Sequence, residues 1–92
     1  MIHAQTRYFI HAGNKQTVLH YVKNVLFPLA AKAGCQELKT CMLPDKTAFI
    51  AYGTWPSRSK AEQFADQIRY NIQNDLEKTL KRSPVRELFE FC

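Results

Sequence analysis

The chain has 92 residues, 46% of them hydrophobic and 23% charged, with a formal net charge of +5. A chain this short forms one domain, spanning 1–92, close to the size at which a single core only just suffices, and its charge balance is that of an ordinary globular protein. The excess of basic residues is too mild to name a partner, and the densest group, Lys78, Lys81 and Arg82, falls where a helix is expected to end and where the helix dipole favours cations.

Residues 6–12, Thr-Arg-Tyr-Phe-Ile-His-Ala, are rich in aromatic and β-branched types and stop at Gly13-Asn14, which predicts a strand and a turn. From Gln16 to Ala33 the period becomes helical. Val18, Val22, Val25, Leu26, Leu29 and Ala33 share a face, with Asn14 or Thr17 as the cap. Pro28 lacks the amide that would bond to the Asn24 carbonyl, so a kink or restart is expected there, and Gly34 ends the helix. Residues 35–43 and 47–55 read as two strands joined around Pro44-Asp45-Lys46. After Pro56, Ser59-Lys60-Ala61-Glu62 has the form of a capping box. It opens a long helix with Ala61, Phe64, Ala65, Ile68, Ile72, Leu76 and Leu80 on one stripe, closed by Ser83-Pro84. Val85 to Phe91 is the last strand, with Val85, Phe89 and Phe91 on one side and Leu88 on the other. Strand, helix, strand, strand, helix, strand is the split βαβ order of a ferredoxin-like α+β fold.

Both faces of the third strand are apolar: Ala48, Ile50 and Tyr52 on one, Phe49, Ala51 and Trp55 on the other. Two helices cover one face of a four-stranded sheet, and a large apolar patch left on the second is rarely tolerated by a soluble monomer. A homodimer through the face of Ala48, Ile50 and Tyr52 is therefore expected. The three cysteines include no C-x-x-C pair. Cys35 and Cys41 share a predicted strand, about 20 Å apart at the strand rise, too far for a disulfide, and Cys92 suggests no role. Val25 to Ala33 has the look of a signal peptide but follows a strand and a helix start, and no stretch reaches the length of a membrane span. A cytoplasmic protein with no membrane partner is expected.

Gly13-Asn14-Lys15 before the first helix, Gly34-Cys35 before the second strand, and Tyr52-Gly53-Thr54-Trp55-Pro56-Ser57 closing the third occur in a familiar order and spacing. Over roughly residues 6–91 the chain resembles the antibiotic-biosynthesis monooxygenase family. The resemblance implies a dimeric α+β barrel and oxygen insertion into quinol-like or polycyclic aromatic molecules without metal or flavin; one branch of that family instead binds and degrades haem. Quinone-forming members carry an Asn four residues before the strand-end Trp, which is Ala51 here. Their helix tyrosine and arginine fall near Ala61 and Asp75. The Asn, Trp and His of the haem branch correspond to about Thr6, Phe64 and Asn74. Only Trp55 carries over, so no catalytic residue is assigned and no cofactor is expected.

Trp55 and Phe49 would wall a pocket in which the small Ala51 and Gly53 leave space, with Phe64 and Ile68 as its roof, suited to a small hydrophobic or aromatic molecule. Tyr8, Tyr52 and Tyr70 are candidate donors to a ligand carbonyl. His11 is expected on the dimer side, His3 in an end segment and His20 on the polar side of the first helix; no pair of histidines, cysteines or carboxylates has ligand spacing, so no metal site is predicted. No Ser-His-Asp or Gly-x-Ser-x-Gly pattern occurs. Two other readings remain. One is a non-catalytic dimeric barrel that binds a small hydrophobic ligand. The other, more distant, is an RNA-recognition motif, echoed by Tyr8-Phe9-Ile10 and Ala48-Phe49-Ile50-Ala51-Tyr52. Thr47 stands where that motif wants an aromatic, and both helices are long for it, so no nucleic-acid partner is expected.

Overall fold

The computed structural model describes residues 1–90. Its centre is an antiparallel pair, β1 (Ile2–Phe9) and β3 (Ala48–Trp55), in which Ile2 faces Trp55, Thr6 faces Ala51 and Tyr8 faces Phe49. β1 begins four residues before the predicted start. His3 and Gln5 interrupt the apolar run because they alternate onto the face away from the helices, while Ile2 and Ala4 are buried beneath them. β2 (Gln36–Met42) and β4 (Val85–Glu90) complete an antiparallel sheet of order β2-β3-β1-β4, the ferredoxin-like arrangement. Phe91 and Cys92, predicted as strand end and terminal thiol, lie outside the described residues.

The first helical arm runs through a 3-10 turn (Ala12–Asn14), α1 (Lys15–Tyr21), a π turn (Val22–Leu26) and α2 (Phe27–Lys32). The interruption expected at Pro28 takes the form of the π turn. The Phe27 amide reaches back to the Val22 carbonyl, and Pro28 falls in the opening turn of α2, where a missing amide hydrogen matters least. Gly34 ends the arm at φ +109°, a conformation that glycine adopts without a Cβ clash. Its amide bonds to Ala31 (3.1 Å) and that of Cys35 to Ala30 (3.0 Å), the paired bonds of a Schellman cap.

The second arm is α3 (Arg58–Asn71), a π turn (Ile72–Leu76) and a 3-10 turn (Glu77–Thr79). Its cap is Ser57, not Ser59: the Ser57 hydroxyl accepts from the Lys60 amide at 3.2 Å, and Ser59 lies inside the helix. Pro56 sets this entry two residues earlier than the capping-box spacing suggested. Leu80, expected on the helical stripe, has left the helix; it bridges to Ile10 and is buried there. Beyond it the Arg82 guanidinium lies 3.8 Å over the Phe9 ring, so a cation–π contact holds it rather than a helix end.

Alternation divides the sheet. Tyr8, Phe49, Ala51, Gly53 and Trp55 lie under the helices, and Ile50, Tyr52, Val85 and Phe89 lie on the open face with His3, Gln5 and Arg7. Ala48 has the parity of the open face but is already fully buried within the single chain, its methyl beside its register partner Phe9, so it adds no exposed surface to an interface. Tyr8 and Phe49 stack on each other in the core, which leaves Phe9 and Tyr52 as the open-face aromatics of the RNA-binding echo. Cys35 and Cys41 are free thiols. Among the described residues no helix is long and apolar enough to cross a membrane.

Because Ser57 alone satisfies an orphan amide of α3, Ser57→Ala is expected to cost about 1 kcal/mol, and Ser59→Ala only a few tenths. Thermal or urea melts of the two variants measure this. Equal losses would return the cap to Ser59.

Candidate functional site

Between the sheet and the two helical arms lies a hollow of about 40 Å³, room for about two or three waters. Its floor is Tyr8, Ala51, Gly53 and Trp55, and Phe64 and Ile68 of α3 roof it. Six of the seven predicted ligand-binding residues thus meet at one place. Phe49 does not line it: its ring stacks on Tyr8 at 5.2 Å and is 1% exposed, two register pairs along from Ala51. Trp55 is 2% exposed and meets Phe64 at 5.0 Å with the rings tilted by 39°, a contact between arm and sheet that fixes the end of the hollow.

The room above Gly53 is not free. A bulge in β2 places both Glu37 and Leu38 between the pairs Gln36–Thr54 and Lys39–Tyr52, with Glu37 in the left-handed region at φ 56°. Cys35 and Leu38 both turn over Gly53 as a result, and a Cβ there would stand 2.5 Å from the Cys35 sulfur and 3.0 Å from Leu38 Cδ2. Glycine at this position admits the neighbouring strand. The free space belongs to Ala51.

Besides Tyr52 and Trp55, the residues with polar side chains that line this apolar space are Thr6, Tyr8, Cys35 and Arg86. Burial pushes the Tyr8 phenol far above its usual value, partly offset by the Arg86 charge, so it stays protonated and is a hydrogen-bond donor at any ordinary pH. Among the described residues its hydroxyl has no hydrogen-bond partner, and it is not sealed from the hollow that it lines. Burial also pushes the Cys35 thiol up, leaving it an inert hydrophobe that donates weakly to the Gln36 carbonyl (3.7 Å). Arg86, on β4 opposite Thr6, is half-buried. Desolvation lowers its pKa, and its Nη2 donates to the Ala61 carbonyl of α3 at 3.1 Å. Nothing in hydrophobic periodicity selects Arg86, because a charge on a short strand reads as a solvent-facing position; the alternation with Leu88 was the available signal.

A second space, a cleft of about 360 Å³, adjoins the hollow between α3 and the start of β4. Thr6, Ile68 and Arg86 line both, so these three side chains form the wall between them. Above, the Tyr21 hydroxyl donates to Asp75 at 2.6 Å, tying the two helical arms. Burial and this bond push the Tyr21 pKa up to about 12. The remaining candidates lie elsewhere. Tyr52 borders the hollow, but its ring meets His3 on the open face, tilted by 49°; Tyr70 is 73% exposed on α3, and His11 and His20 are exposed. Among the described residues no three His, Cys, Asp or Glu side chains cluster as metal ligands.

No family model matches the chain, and no curated protein matches it by sequence. Solved structures do. A monooxygenase from the gene ActVA-Orf6 of Streptomyces coelicolor, in complex with Nanaomycin D, superposes with a TM-score of 0.81 at 13% identity, over 99% of this chain and 87% of that one. An antibiotic biosynthesis monooxygenase gives 0.79 at 12% identity over 100% and 99%. Rv0793 from Mycobacterium tuberculosis gives 0.80 at 12% over 99% and 94%. The chain has the fold of the antibiotic biosynthesis monooxygenases, and at these identities the likeness is one of fold.

The close approach at Gly53 gives a direct check on the packing beside the hollow. Gly53→Ala is expected to destabilise by about 1–3 kcal/mol through overpacking, and Cys35→Ala in the same chain to recover part of that loss. Melting curves of the two single variants and the double variant measure the coupling. Additive losses would mean that the sulfur is not the obstacle.

Proposed function

We propose that this chain is a homodimeric monooxygenase of the antibiotic-biosynthesis type, which oxidises a small hydroxylated aromatic molecule without metal or flavin. The observation that carries the reading is the meeting of an apolar hollow, walled by Trp55 and Phe64, with a Tyr8 hydroxyl that opens onto it and has no partner among the described residues. A neighbour of the same fold, a monooxygenase, holds Nanaomycin D. The hollow is too small for a bicyclic ring, so the body of such a ligand lies in the adjoining cleft. Only its reacting edge, and dioxygen, reach the space above Ala51.

The chemistry asks little of the protein beyond placement. A naphthol and dioxygen give a naphthoquinone and water: one oxygen atom enters the ring carbon, and the other leaves as water with the hydrogen of that carbon and the phenolic hydrogen. The substrate is its own reductant, so no further electron donor is required. The ring reacts as its oxyanion, and a protonated Tyr8 donating to that oxygen favours the ionised form in a site of low dielectric. Among the described residues lining the hollow there is no carboxylate or imidazole, so the phenolic proton leaves through the cleft to water. Oxygen uptake and quinone absorbance with naphthols and anthrones test the reading. Tyr8→Phe is expected to lower turnover by about 10²-fold while leaving the fold intact. Binding without oxygen uptake would favour the non-catalytic barrel, and no binding would remove the site.

The open face supports the dimer. Phe89 and Val85 are each 44% exposed in the single chain, and His3 contacts the rings of Tyr52 and Phe89 beside the half-buried Ile50. Pairing two such faces buries these rings, and Ile50→Asp would place a charge without a partner between them. Sedimentation is expected to give a dimer for the native chain and a monomer for Ile50→Asp. A native monomer at micromolar concentration would sink the assembly.

A further inference from the structure

The wall between hollow and cleft carries a cation without a counter-ion. Arg86 gives one of its donors to the Ala61 carbonyl (3.1 Å) and, among the described residues, forms no ion pair. The carboxylates nearby are engaged elsewhere. Asp66 pairs at 2.8 Å with Arg69, which also lines the cleft, and Glu77, on the rim of the cleft, accepts from the Ser83 hydroxyl at 3.1 Å. A guanidinium has five N–H donors in a rigid fork, and most of this one's are unused. Holding such a group half-buried and unpaired is unfavourable, and an aliphatic side chain would pack the wall at less cost.

We propose that Arg86 determines specificity by gripping a carboxylate on the ligand, while the aromatic body lies in the cleft and its reacting edge points over Thr6 and Ile68 toward Ala51. This rests on the aromatic-ligand reading above. The planar fork meets a carboxylate in two parallel hydrogen bonds, and the Thr6 hydroxyl, which lines both spaces, supplies a further donor. Among the described residues lining the cleft Arg69 is paired with Asp66, which leaves Arg86 as the free cation, and it balances one negative charge. Glu77 on the rim opposes a second, so a carboxylate monoanion fits this wall and a phosphate dianion does not.

Three probes separate the possibilities: 1-hydroxy-2-naphthoate, 1-naphthol and 1-naphthyl phosphate. Each is titrated against the fluorescence of Trp55, the one tryptophan of the chain. The native protein is expected to bind the hydroxynaphthoate about tenfold or more tightly than naphthol, the range of charge-assisted hydrogen bonds. Arg86→Gln, which keeps a donor for the Ala61 carbonyl, is expected to bring that ratio close to one, and Arg86→Lys to restore part of it. Circular dichroism establishes that each variant is folded, and if Arg86→Gln is not, the native ratios and Arg86→Lys still decide. A native ratio near one, a preference that survives Arg86→Gln, or tighter binding of the phosphate than of the carboxylate would overturn the proposal and leave the aromatic reading standing. If no probe binds, both fall.

Discussion

The register of β1 against β3 is the constraint on which the site depends. It sets Thr6 beside Ala51, Tyr8 beside Phe49 and Ile2 beside Trp55 on the face that the helices cover. The period of a strand is two, so a slip of one residue would turn Tyr8 and Trp55 outward and drive Arg7 and His3 under α3. An unpaired Arg7 in the core would be far more costly than any contact regained. The two sets of side chains therefore enforce one alignment, and with it the position of a hydroxyl, an indole and a small gap between them. Nothing in the helices could place these groups if the strand pair were free to slide.

Around this rigid pair, the irregular pieces of backbone collect where the space is. The β2 bulge lies over Gly53, the π turn of the first arm supplies Val22 and Leu26 to the hollow, and the π turn after α3 supplies Ile72 to the cleft. A bulge or a π turn adds one residue to a regular period and so re-aims the side chains that follow it. These local departures border the two spaces beside Ala51. The Tyr21–Asp75 bond ties the two helical arms, assisted by Asn14, whose amide donates to the Thr79 carbonyl at 3.0 Å.

The element order, the hairpin, the glycine stop at Gly34 and the two-faced third strand were all legible in the sequence. Each rests on a local rule of period or backbone conformation that tertiary packing did not override. The floor of the hollow was legible for the same reason, since alternation assigns Ala51, Gly53 and Trp55 to one face. What escaped depends on distance in the sequence. Phe49 and Ala51 have the same parity, and only the stacking of Tyr8 separates a core ring from a lining residue. Gly53 looks like vacant space until Cys35 and Leu38 are seen to fill it, through a bulge that no turn residue announces. Ser59 satisfies a capping pattern, but Pro56 brings Ser57 to the helix entry first. Ala48 has the parity of an interface residue without the reach of one.

Arg86 is the case in which pattern and chemistry diverge most. Its strand is short, its neighbours Glu87 and Glu90 are charged, and a strand of that composition reads as an edge with a wet face. The β1–β4 register instead sets it against Thr6, on the helix side, with its fork beneath the backbone of α3. The bond to Ala61 compensates one donor only, and the residue that best seals such a wall is a leucine, as Leu88 is two positions on. A charge kept where packing favours a hydrocarbon works against stability. In a fold whose core is otherwise sealed by Trp55, Phe64 and Ile68, that makes the wall between the two cavities the place where the chain most clearly departs from what folding alone requires.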